Sequence, residues 1–125
     1  MEYKFSTEKP LSIDTLVFDS GDRIFRNIFL NLDIQNTEDG WRYIPVYINS
    51  TILDTIRGLG DKEKYGRIID HIIRSEYTDA ETTAILSNYL SEPDNEKYVK
   101  EFQDFQSYRK LAKDYAKYVT ENELI

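Results

Sequence analysis

Apolar residues recur along this chain with two different rhythms, and the change falls near residue 48. Leu11 to Phe18 is rich in β-branched and apolar residues. It ends at Asp19-Ser20-Gly21-Asp22, whose Gly tolerates positive φ and whose acids favour turns, so a first strand is predicted there. From Ile24 the pattern alternates: Ile28, Leu30, Leu32 and Ile34 point one way and Asn27, Asn31, Asp33 and Gln35 the other, the period of a half-buried strand. Thr37-Glu38-Asp39-Gly40 then reverses the chain, since Asp-Gly between alternating runs is a strong hairpin signal. The third strand spans Trp41 to Ile48, with Ile44, Val46 and Ile48 on the core face. Pro45 has no N–H to give to a ladder, so this strand lies at the sheet edge, or Pro45 sits at a bulge.

Beyond residue 48 the spacing becomes three and four. Ser50 is placed to cap a short helix carrying Ile52, Leu53 and Ile56, which Gly58-Leu59-Gly60 ends. Asp61 is placed to cap the next, whose Tyr65, Ile68, Ile69, Ile72 and Ile73 share one stripe. Thr78-Asp79-Ala80-Glu81 has the form of a capping box, opening a helix that runs through Ala84, Ile85 and Tyr89 to about Leu90. Glu92-Pro93-Asp94-Asn95 interrupts it, because the residue before a proline disfavours helix. A last helix follows from about Glu96 to Val119, on the order of 36 Å long at 1.5 Å per residue. Its Tyr98, Phe102, Phe105, Ala112, Ala116 and Val119 form a seam broken where Arg109 takes a slot, and Tyr108, Leu111, Tyr115 and Tyr118 form a second stripe beside it. A face this broad packs on two neighbours.

The expected architecture is α+β: an N-terminal three-stranded antiparallel β-meander followed by an antiparallel helical unit of three to four helices. One domain over residues 1–125 is expected, with the meander in 1–48, the helical part in 49–120 and a frayed tail in 121–125. With 40% apolar and 31% charged residues, ten Tyr, six Phe and one Trp, the chain is globular in composition. There is no cysteine, which removes disulfides, thiolate metal sites and cysteine nucleophiles together. No apolar run approaches the roughly 18 residues of a membrane span, and the stretch from Met1 to Pro10 is polar. The net charge of −7 is spread along the chain, so neither half is basic and direct nucleic-acid binding is disfavoured.

Chemistry-bearing residues are sparse. The only histidine, His71, has Asp70 beside it and Arg74 a turn on. Adjacent helical residues point about 100° apart, so Asp70 cannot orient the imidazole as a triad carboxylate does, and a partly exposed structural histidine is expected. Gly58-Leu59-Gly60-Asp61-Lys62 lacks the Gly-Lys-Ser/Thr ending of a phosphate loop and reads as helix punctuation. Asp94 and Glu96 lack the ligand alternation and glycine of a calcium loop. No catalytic residue, cofactor or metal ligand is therefore assigned. The surface that stands out is the second face of the sheet, where alternation places Phe25, Phe29, Trp41, Tyr43 and Tyr47; left uncovered by the helices, it is a candidate protein interface.

The segments Ile72-Ile73-Arg74-Ser75-Glu76-Tyr77, Ala84-Ile85-Leu86-Ser87-Asn88-Tyr89-Leu90 and the run from Glu96 to Lys113, together with the Gly40-Trp41 hairpin, resemble small prophage-encoded proteins found among tailed-phage structural and assembly genes. That resemblance implies a phage-related setting, cytoplasmic in the bacterial host or virion-associated, and carries no functional residue over. The expected function is non-enzymatic, through contacts with other proteins such as phage structural proteins or a second copy of the chain, as a minor structural component, assembly factor or oligomeric adaptor. The alternative is an acidic regulator that occupies a host DNA-binding protein by charge mimicry.

Overall fold

The computed structural model describes residues 3–20 and 23–122, with side chains for all of them except 16–20 and 23–26. Four strands, β1 (Lys4–Ser6), β2 (Ile13–Ser20), β3 (Arg23–Thr37) and β4 (Gly40–Ile48), precede four helices, α1 (Ser50–Ile56), α2 (Asp61–Arg74), α3 (Asp79–Ser91) and α4 (Glu96–Glu121). The class is α+β, as expected. The sheet has one strand more than the meander, because β1 adds antiparallel to β4 and gives the order β1-β4-β3-β2. Three residues are too few to show a period of two, so nothing in the pattern announces β1.

Positions 28, 30 and 32 of β3 and 44, 46 and 48 of β4 face the helices. Ile28, Leu30, Leu32, Ile44, Val46 and Ile48 are buried together with Leu53 and Ile56 of α1, Ile68, Ile72 and Ile73 of α2, and Phe105, Tyr108, Ala112, Ala116 and Val119 of α4. Each large aliphatic side chain buried in this way contributes roughly 1.5–3 kcal/mol. The alternation breaks after Leu32. Leu32 pairs with Ile44 but Gln35 pairs with Arg42, so Asp33 and Ile34 together oppose one residue of β4 in a β-bulge. Asp33 takes φ 50°, a left-handed conformation that Asp reaches more readily than bulkier residues. The extra residue rotates Ile34 off the helix-facing side and brings Gln35 onto it, correcting the expected placement of both. The bulge is held by hydrogen bonds. Tyr3 Oη and Gln35 Nε2 both donate to Asp33 Oδ2, and Arg42 Nε donates to Gln35 Oε1 at 2.7 Å. The Arg42 guanidinium lies 4.3 Å from the Tyr3 ring centre.

Pro45 lies opposite Asn31, beyond the stretch of β4 that β1 covers (Trp41 to Tyr43). The strand is therefore not the edge strand expected, since β4 lies between β1 and β3, and the bulge is in β3 rather than at Pro45; only the side of β4 away from β3 is left unpaired at Pro45. The missing N–H of Pro45 leaves no ladder bond unmade there.

Helix boundaries follow caps, and two differ from expectation. Asn49 rather than Ser50 caps α1, its side chain accepting from Ile52 N at 2.9 Å, and Gly60 rather than Asp61 precedes the first turn of α2. The capping box at Thr78 and Glu81 is present. Asn95 caps α4, which continues to Glu121, the first residue of the expected frayed tail; residues 123–125 of that tail lie outside the described ones. The seam of α4 also shifts: Tyr108 fills the slot beside Arg109, which is exposed. Phe102 in the N-terminal half stacks on Tyr89 of α3 at 4.1 Å, while the C-terminal half packs on α2 and β3, giving the broad face its separate neighbours. Arg74 ties the end of α2 to the start of α3, Nη1 donating to Tyr77 O at 3.1 Å and Thr82 Oγ1 at 2.9 Å, with Nε 3.1 Å from the Asp79 carboxylate.

Candidate protein interface

With the helices packed on the aliphatic side, the odd-numbered positions of β4 and positions 27, 29 and 31 of β3 form the outer face of the sheet. Phe29 and Tyr47 are cross-strand partners, and their rings stack with centroids 4.8 Å apart and planes 29° from parallel. Both remain accessible, Phe29 at 38% and Tyr47 at 47%. Tyr47 is also anchored. Its hydroxyl donates at 2.9 Å to Asn27 Oδ1, which accepts in addition from Ser50 N at 3.0 Å. Asn27 is the buried polar residue of the described core, and these two bonds explain how its amide oxygen tolerates burial. The fixed ring therefore loses little freedom on meeting a partner, which lowers the ordering cost of a contact made there.

Tyr43, half-buried, and Pro45, exposed, continue the patch along β4. Lys4 flanks it on β1 and Asp14 on β2, and the whole forms a shallow open depression of about 580 Å³. Of the five residues expected to share this face, the structure brings Phe29, Tyr43 and Tyr47 together. Trp41 lies apart at the far end of β4, opposite Ser6, with Lys9 Nζ 5.3 Å from its ring centre, beside a separate depression that also involves Phe5. The N-terminal segment thus screens that end of the face. Phe25 pairs with Phe18 along the β2–β3 ladder, and its side chain lies outside the described ones. Lys4 and Asp14 escape a reading of apolar period because they are charged; only the register across all four strands sets them beside the aromatic patch.

Elsewhere, exposed large apolar side chains are Phe5, Leu11 and Tyr118, and Leu86 with Leu90 one turn apart on α3. What sets Phe29 and Tyr47 apart is that their rings stack across two strands and one is held by a hydrogen bond, a fixed patch of the kind that marks contact surfaces.

His71 is half-buried, and its Nε2 lies 2.9 Å from Tyr47 O. A carbonyl can only accept, so the imidazole proton sits on Nε2 and the ring fastens α2 to β4. Buried Tyr108 and half-buried Tyr115 are engaged in the same way. Tyr108 Oη donates to Ile72 O at 3.0 Å and Tyr115 Oη to Asn31 O at 2.6 Å. Burial pushes the Tyr108 hydroxyl up to about 12 and raises that of Tyr115 as well. Among the described residues no group of three His, Asp or Glu is placed to hold a metal ion, and no helix is long and apolar enough to cross a membrane. Comparison of the chain with family models, with curated proteins and with solved structures returns no match.

Proposed function

We propose that this protein is non-enzymatic and works through protein–protein contacts made by the outer face of its sheet, as a minor structural component, assembly factor or oligomeric adaptor in a phage or prophage setting. The observation that carries the reading is the stacked Phe29–Tyr47 pair, fixed by Asn27 yet open to solvent, on a face that no helix covers. Aromatic residues held in this way are the side chains most enriched at contact surfaces, because they bring large area with few rotors. The phage setting is supported by the sequence resemblance alone. Charge mimicry of DNA has less support: acids of α4 alternate with lysines and pair with them, Lys100 with Asp104 at 3.4 Å and Lys117 with Glu121 at 3.9 Å, rather than forming a continuous negative stripe.

Affinity purification from phage-producing bacteria, with Tyr47→Asp as the matched control, tests the reading. The wild-type chain should retain one or more proteins, further copies of the chain included, that the variant loses, while circular dichroism shows both folded. Identical captured sets, or none with either chain, would contradict it.

A further inference from the structure

We infer that the outer sheet face is the contact surface of a twofold dimer of this chain. The inference rests on the docking reading above and names the occupant. Its ground is charge complementarity.

Among the described residues lining the patch, one is a cation and one an anion, at opposite corners. Lys4 on β1 is in register with Tyr43, and Asp14 on β2 is in register with Phe29 and, through it, with Tyr47. Both charged side chains are exposed, and neither makes an ion pair or hydrogen bond with the described residues. Three strand spacings separate them across the sheet, about 14 Å, and the four-residue step from Tyr43 to Tyr47 separates them along it by about 13 Å. The two displacements are nearly equal, so Lys4 and Asp14 lie on a diagonal at about 45° to the strands.

A twofold axis lying in the contact plane along the other diagonal exchanges these corners. It sets Lys4 over the partner's Asp14 and, by the same operation, Asp14 over the partner's Lys4. Such an isologous contact makes every favourable pair twice. The axis passes over the Asn31–Pro45 pair at the centre of the patch and close to Tyr47, whose ring then meets its own image. An axis at about 45° to the strands turns one sheet about 90° against the other, which is the orthogonal arrangement in which twisted sheets pack. Axes along or across the strands leave Lys4 and Asp14 unmatched. An unrelated partner must supply its own anion and cation at this diagonal spacing, whereas a second copy brings both.

Charge reversal with sedimentation velocity over a wide concentration range tests the geometry. The wild-type chain should show a reversible monomer–dimer equilibrium that weakens with added salt. K4E and D14K each place like charges at both corners, and each should weaken self-association about tenfold or more. The double variant K4E/D14K reverses both signs together and should dimerise within a few-fold of wild type. An equimolar mixture of K4E and D14K should form the mixed dimer, in which each corner again joins opposite charges. That mixture separates charge pairing from damage to β1 or β2, since a misfolded chain cannot rescue its partner. Failure of both the double variant and the mixture to recover association would overturn the proposal, as would a wild-type chain that stays monomeric throughout. A monomeric chain that still captures proteins lost by Tyr47→Asp would sink the dimer and leave the docking reading standing. Monomeric behaviour with no Tyr47-dependent capture would sink both.

Discussion

Three tyrosines carry much of what single residues do here, and they do different things. Tyr47 presents its ring to solvent while its hydroxyl is fixed by Asn27; Tyr108, buried, and Tyr115, half-buried, donate to backbone carbonyls of α2 and β3. Tyr108 is almost fully buried, and a phenolate in that place would be poorly solvated, so its ionisation is pushed up to about 12 with burial the leading cause. The consequence for stability has a definite sign. Between the ordinary tyrosine value near 10 and about 12 the folded chain keeps a proton that the unfolded chain has lost, so stability is intact below about pH 10 and falls as pH rises toward 12. Tyr3, Tyr77 and Tyr115 are shifted in the same direction and add to the fall. Tyr108→Phe should cost about 1 kcal/mol at neutral pH in urea unfolding, the worth of one buried hydrogen bond, and should soften the alkaline loss, because the ring without a hydroxyl has nothing to ionise. An unchanged alkaline profile would show that Tyr108 does not govern it.

At the scale of elements, the decisive device is the closure of β1 onto β4. Gly40 opens β4 with φ 143°, and a Cβ there would lie 2.4 Å from Ser6 O, so both the conformation and the close approach require glycine. Gly40→Ala should detach β1: hydrogen exchange at Lys4 and Ser6, whose N–H groups face β4, should accelerate markedly, with a stability loss of about 1–3 kcal/mol. Retained protection in β1 would contradict this account of the turn. The meander and all four helices were legible because long segments declare their period and because Asp39-Gly40, Thr78 to Glu81 and Pro93 punctuate them. β1 was not, since Lys-Phe-Ser holds no pattern and its pairing is a long-range event. The phase slip at Asp33 was equally hidden: Ile34 continues the alternation in sequence, and only the left-handed turn of Asp33, supported by Tyr3 and Gln35, takes it off the core face. In α4 both stripes were visible, but which one filled the slot at Arg109 depended on how α4 sits against α2, which no local pattern records. The candidate surface was legible to the extent that alternation reveals a face. Phe29, Tyr43 and Tyr47 come together for that reason, whereas the isolation of Trp41 depends on the N-terminal segment that brings Lys9 to it.

For the molecule as a whole, the helices sit on one side of the sheet and the fixed, accessible rings on the other. The helical side is sealed by Ile28, Leu30, Leu32 and their partners from α1, α2 and α4. Its hydrogen-bonded pins, His71 to Tyr47 O and Tyr115 to Asn31 O, run into the backbone of the two strands that present the patch. The core thereby holds the outer face rigid, and rigidity is what lets a small patch bind without a large ordering cost. The central claim is that this face is covered when the protein works. Oxidative footprinting of the purified chain, dilute and then concentrated, tests it most directly, with Leu90 and Tyr118 as exposed references on α3 and α4. Phe29 and Tyr47 should label readily at low concentration and become protected at high concentration, while Leu90 and Tyr118 label equally in both. Unchanged labelling of Phe29 and Tyr47, with protection falling on Leu90 or Tyr118 instead, would contradict the account.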